Sequence, residues 1–91
     1  MTKKTHRLAR HRVHLTPGAA TRIARELQEM SQAELARMSG IPQPTISAIE
    51  KGRVRLGADR AEKLARALRV HPAVLLFPSW DADEKPKRAA E

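Results

Sequence analysis

The chain has 91 residues, no cysteine and a net charge of +8, which excludes a disulfide framework, a thiolate metal site and more than one small domain. No run approaches 18 apolar residues and the basic start Met1–His14 lacks the apolar stretch of a secretion signal, so no membrane segment and a cytoplasmic location are expected. Residues 1–15 hold five bases and no acid, whereas residues 78–91 hold one more acid than base. A basic segment ahead of the helical region suits a polyanionic backbone, an acidic partner surface or a solubilising arm, and charge alone leaves these open.

Residues 1–15 read as a basic arm, in which Arg12-Val13-His14-Leu15 alternates polar and apolar as a short strand or extended segment would. Thr16-Pro17 then marks a helix start, because threonine caps orphan amides and proline fits a first turn. This first helix is predicted to run to about Met30, with Ala20, Ile23, Ala24, Leu27 and Met30 on its inward stripe. Ser31 with Glu34 three residues later forms a capping-box pattern that opens a second helix over Gln32–Ser39, closed by Gly40. A third helix covers roughly Gln43–Lys51; Pro44 is tolerated only because it falls in the first turn, where its missing N–H costs nothing. Gly52 closes that helix and Arg53–Leu56 forms a connecting loop. A fourth helix spans about Ala58–Arg69 with Ala61, Leu64, Ala65 and Leu68 inward, and His71-Pro72 begins a short fifth that ends at Leu76 or Phe77, before Pro78. The sequence therefore predicts an all-α fold of five helices over residues 16–77, followed by a short flexible polar tail at 78–91 anchored at most by Trp80.

The spacing within Ser31–Gly52, SQAELARMSGIPQPTISAIEKG, predicts a helix-turn-helix. Two short helices that cross steeply need a small residue at their approach, a residue tolerant of positive φ at the turn, and apolar side chains facing the shared core. Ala36, Gly40, and the set Leu35, Ile41, Ile46 and Ile49 meet these needs in turn. What remains on the third helix is Gln43, Pro44, Thr45, Ser47, Ala48 and Lys51, mostly short and uncharged. A face without bulk or acid suits the floor of a DNA groove.

The helix order, the Gln-Ala-Glu-Leu-Ala start at Gln32–Ala36 and the Thr-Ile-Ser…Ile-Glu-Lys-Gly ending at Thr45–Gly52 resemble the lambda-repressor and Cro family, often called XRE-type, over about two-thirds of the chain. The resemblance departs at Ser39, where many members carry an apolar residue, and at Pro44, where many carry a base-reading glutamine or serine. It implies a sequence-specific repressor of double-stranded DNA. Gln43, Pro44, Thr45 and Ala48 then face bases, with Pro44 limited to shape and apolar contact. Gln32, Ser47, Lys51, Arg53 and Arg55 then face phosphates. It also implies an ion pair between Arg25 and Glu50 that positions the third helix. With Pro44 offering no hydrogen bond, DNA deformability is expected to share in selectivity.

Val74, Leu75, Leu76, Phe77 and Trp80 are too apolar for a tail end that only caps its own core; core burial accounts for about half of them, and a two-fold dimer contact, assigned to Leu75, Leu76, Phe77 and Trp80, for the rest, with which a palindromic operator is expected. The ending HPAVLLFPSWD, taken with the long basic arm, resembles antitoxins of the HigA kind. That likeness implies a RelE/HigB-like toxin as a second partner and autoregulation of a toxin–antitoxin operon, with the alternative of an antitoxin that acts chiefly by binding and neutralising that toxin. No cofactor or enzymatic activity is expected. His6, His11 and His14 sit in an acid-free arm that lacks a convincing metal shell, and no triad or phosphate loop appears.

Overall fold

The computed structural model describes residues 14–80 and 83. It contains α1 (Pro17–Leu27), α2 (Gln32–Ser39), α3 (Gln43–Glu50), α4 (Ala58–Leu68) and α5 (Pro72–Leu76), with no strand among the described residues. The expected five-helix fold is therefore the one observed. The His6 and His11 readings, and the arm up to Val13, fall outside the described residues.

Each helix boundary has a local cause. Thr16 caps α1 by accepting from the Ala19 N–H at 3.1 Å, and Pro17 occupies the first turn. At α2 the capping box is reciprocal: Ser31 Oγ accepts from the Glu34 N–H at 3.0 Å, and a Glu34 carboxylate oxygen accepts from the Ser31 N–H at 2.8 Å. Gly40 then takes φ +79°, the left-handed conformation that ends the helix cheaply only without a Cβ. The hydrogen bond from the Ser31 backbone, followed by the one to its side chain, holds the Glu34 carboxyl below the usual carboxylate range. A group with a lowered folded pKa supplies stability that is present above its unfolded value and lost as pH falls through the folded one. Glu34 is thus expected to titrate below the ordinary glutamate value in an NMR titration, and Glu34→Ala to remove part of the acid-side loss of stability. A Glu34 midpoint at the ordinary value would contradict the reciprocal cap.

The core is formed by Leu35 of α2, Ile46 and Ile49 of α3, Leu64 and Leu68 of α4 and Leu75 of α5, all essentially inaccessible, with Ile41 and Leu56 sealing the turns. α4 packs on α2 and α5, while α1 packs on α3 and α5. The inward set expected on α4, Ala61, Leu64, Ala65 and Leu68, is buried as a whole. Thr21 is fully buried too, its hydroxyl satisfied by donating to the Pro17 carbonyl at 2.8 Å.

Two expectations are corrected. α1 ends at Leu27, and Ile23 and Leu27 are 43% and 80% exposed. Its buried residues are Gly18, Ala20 and Thr21: Gly18 faces the end of α3, whereas Ala20 lies on the groove side of the helix. Ile23 and Leu27 instead rim an apolar groove with Leu15, Val70, Val74 and Pro78, floored by Ala20 and Ala24. Leu75 is the second correction. It is fully buried in the chain's own core and has no surface to offer a partner, since α5 is short and turns that side chain onto α4. Leu76 is half-buried against the same core, while Phe77 and Trp80 remain 61% and 74% exposed.

The two ends of the helical body are joined. The Leu15 N–H donates to Ser79 Oγ at 2.8 Å and Ser79 Oγ donates to the Leu15 carbonyl at 3.0 Å. Leu15 and Ser79, read in the sequence as parts of the arm and the tail, are thereby fixed to each other.

Candidate nucleic-acid interface

Between α2 and α3 the chain turns in three residues, Gly40 to Pro42. The Ile41 N–H donates to Ser39 Oγ at 3.2 Å, and the Pro42 carbonyl accepts from the N–H groups of Thr45 and Ile46 at 3.0 and 3.1 Å. Ile46 and Ile49 point into the core, which fixes the rotation of α3 about its own axis. The opposite side, by the helical period, carries Pro44, Ser47, Ala48 and Lys51, with Gln43 and Thr45 flanking it at the first turn. Gln43 and Pro44 are exposed; Thr45, Ser47 and Ala48 are partly so. The face is shallow, lined by small or neutral groups, and open to solvent.

α3 closes on Gly52 at φ +77°, and the Ala48 carbonyl accepts from the Arg53 N–H at 2.8 Å. This fold-back places Arg53 and Arg55 beside the end of α3, with Val54 half-buried and Leu56 buried as anchors of the loop. Lys51, Arg53 and Arg55 are all exposed and enter no ion pair among the described residues. The only carboxylate on α3, Glu50, has a side chain only 3% exposed and engaged inward. The outer surface is thus cationic at one end, neutral along its length and free of acid, a field that attracts a polyanion.

Glu50 is the centre of a network that ties three helices. Arg25 of α1 grips it with two parallel hydrogen bonds, Nε to Oε2 at 2.8 Å and Nη2 to Oε1 at 3.0 Å. The same guanidinium donates from Nη1 to the Met30 carbonyl at 2.7 Å, pinning the α1–α2 turn. Gln32 of α2 donates from Nε2 to Glu50 Oε1 at 2.9 Å. The hydrogen bond to Glu50 raises the Arg25 pKa further, against the desolvation that lowers it, so the guanidinium stays charged. The ion pair expected from the sequence is therefore present, at 11% and 3% side-chain exposure. What the sequence did not reveal is the third member: one hydrogen of the Gln32 amide is already committed to Glu50, leaving the other for an outside acceptor.

The sequence reading also missed Gly18. A Cβ at that position would overlap the Ile49 carbonyl oxygen and lie 3.0 Å from the Ile49 carbonyl carbon and 3.2 Å from Glu50 Cα. α1 thus rests directly on the last turn of α3. The available signal was a glycine inside a helix, where it is costly unless the backbone must come close to something.

This architecture can be set beside known proteins. The profile of the helix-turn-helix family matches residues 22–75, from α1 to α5. The chain belongs to the helix-turn-helix family. Within it, the chain is similar to an HTH-type transcriptional regulator of Sinorhizobium fredii, y4aM, with 38% identity over 61 residues that cover 67% of this chain and 43% of the relative. The chain spans about half or less of the length of the curated relatives it matches. Among solved structures it resembles the P22 c2 repressor, crystallised with a synthetic operator, at TM-score 0.65 and 26% identity, covering 70% of this chain and 97% of that one. It also resembles the restriction-modification controller protein C.AhdI of Aeromonas hydrophila, at TM-score 0.63 and 30% identity over 66% of this chain and 91% of that one. The fold of this helix-turn-helix chain is thus that of the lambda-like repressors, as the sequence motifs implied.

Proposed function

We propose that the chain is a transcriptional repressor that binds double-stranded DNA with α3 in the major groove. The observation that carries this reading is the acid-free, solvent-open face of α3 flanked by three cations that enter no ion pair among the described residues. The likeness to a repressor solved on operator DNA supports it. In this reading Gln43 offers a donor–acceptor pair to adenine, Thr45 and Ala48 meet thymine methyl groups, and Pro44 contributes shape alone. Gln32, Ser47, Lys51, Arg53 and Arg55 hold phosphates on either side, Gln32 with the amide hydrogen that Glu50 leaves unused.

The test is selection of a duplex from a random pool by the purified protein, followed by binding of that duplex and a scrambled one at matched salt. Gln43→Ala is expected to cost about 1–3 kcal/mol at one base position and to leave scrambled DNA unaffected. Equal loss on both duplexes would remove Gln43 from base readout, and no preference in the wild type would remove the proposal.

The repressor works as a homodimer on a palindromic operator. Phe77 and Trp80, with Val74 and the half-buried Leu76, supply the apolar surface for it, whereas Leu75 does not. The HigA-like ending favours a second partner, a RelE/HigB-like toxin, for which the groove rimmed by Ile23, Leu27 and Val74 provides apolar area away from α3. Co-purification with the product of an adjacent short reading frame tests that role, and a monomer by sedimentation at micromolar concentration would contradict the dimer.

A further inference from the structure

Gly18 lies in the first turn of α1, where the family motifs read in the sequence do not reach, and its bare Cα faces backbone, not side chain. The opposing atoms have no freedom to yield. The Ile49 carbonyl is held by the Gly52 N–H at 3.0 Å, at a glycine with φ +77°. The Ile49 side chain is locked in the core, and Glu50 is held by two hydrogen bonds from Arg25 and one from Gln32. A flexible side chain would swing aside; a capped helix end cannot.

We infer that Gly18 is a positioning residue for DNA recognition: the absence of a side chain there sets the height at which α3 seats on α1, and so the reach of Gln43 and Thr45 into the groove. The inference rests on the DNA-binding reading above. Adding one methyl pushes α1 and the end of α3 apart along a line that also passes through the Arg25–Glu50 grip, because Arg25 lies two turns along the same face of α1. The cationic loop after Gly52 would still attract phosphate, whereas base readout depends on where the front of α3 sits.

Gly18→Ala separates this from a merely structural role. Helix propensity alone favours alanine in a first turn, so an unconstrained α1 would gain stability, whereas the seating contact requires Tm to fall. Affinity for the selected duplex relative to scrambled duplex is expected to drop by about tenfold or more, the scale of one well-made base contact. The Arg25 Nε–H resonance is expected to move. Ala20→Gly, on the groove side of α1 and away from α3, is the comparator. It is expected to lower Tm while leaving the duplex ratio and the Arg25 resonance alone, since a smaller folded fraction weakens both duplexes equally. In the wild type, a Gly18 α-proton should show a cross-relaxation peak to the Glu50 α-proton, a readout that stands even if Gly18→Ala does not fold. A raised Tm, an unchanged duplex ratio or a missing Gly18–Glu50 peak would overturn the inference. A wild type without duplex preference would overturn the DNA reading and with it the functional half, while the peak and the Arg25 resonance still decide whether Gly18 sets the seat.

Discussion

Glu50→Ala is expected to lower the free energy of unfolding by about 3 kcal/mol, the usual scale for removing one partner of a buried ion pair. In a domain of this size that is a fall in Tm of roughly 15 °C. The magnitude follows from what is left behind. Arg25, with a side chain only 11% exposed, keeps its charge and loses both carboxylate acceptors, and the Gln32 amide loses its acceptor as well. The Met30 carbonyl and the half-exposed Glu26 carboxylate, 3.9 Å from Nη2, are poor substitutes. DNA affinity is expected to fall further than the folded fraction explains, because the carboxylate joins α1 and α2 to the last turn of the helix proposed to read bases. Replacing both members by apolar residues of similar volume, as in Arg25→Met with Glu50→Leu, is expected to restore much of the stability, since a buried pair contributes specificity more than net energy. Denaturant melts of the two single variants and the double variant check this. A Glu50→Ala protein with wild-type Tm would show that the three-helix tie does not hold the domain together.

Neutralising Arg53 and Arg55 together is expected to weaken binding to every duplex alike, by on the order of 50-fold at 0.1 M salt, and to make the salt slope shallower by about 1.8. Both side chains are exposed and unpaired among the described residues, so their removal disturbs no internal contact and Tm should stay within about 2 °C. Uniform loss with a shallower slope is the signature of phosphate contacts, because each released counterion contributes regardless of sequence. Selectivity between chosen and scrambled duplex should survive. If the slope is that of the wild type, these cations do not touch the backbone, and the polyanion must be held elsewhere on the surface.

The helical body is largely legible in the sequence. Thr16-Pro17, the Ser31–Glu34 cap, Gly40, Pro44 and Gly52 each impose a local geometry that neighbours do not override, so α1 to α5 begin where the sequence put them and end within a few residues. The core of α2 to α4 was legible for a related reason. Leu35, Ile46, Ile49, Leu64 and Leu68 recur at helical spacing and have no other apolar face to compete with.

α1 was misread because its apolar residues are not its contact residues. Ile23 and Leu27 satisfy the periodic rule yet line an open groove, whereas Gly18, Thr21 and Arg25 make the approach to α3 through a missing side chain, an internal hydroxyl bond and an ion pair. Periodicity detects burial by area removed from water, and none of these three announces itself that way. Leu75 was misassigned for the opposite reason: in an apolar run, sequence spacing does not say which members a five-residue helix turns inward.

By itself, then, the chain of residues determined five helices, their caps, and a shallow uncharged face on the third, since those depend on dihedral preferences and spacing within a few residues. Only the tertiary structure decided how high that face sits, that Gln32 shares Glu50 with Arg25, and which apolar side chains stay uncovered. Those are matters of distance between segments far apart along the chain, and such distances are fixed by packing, not by local conformational preference.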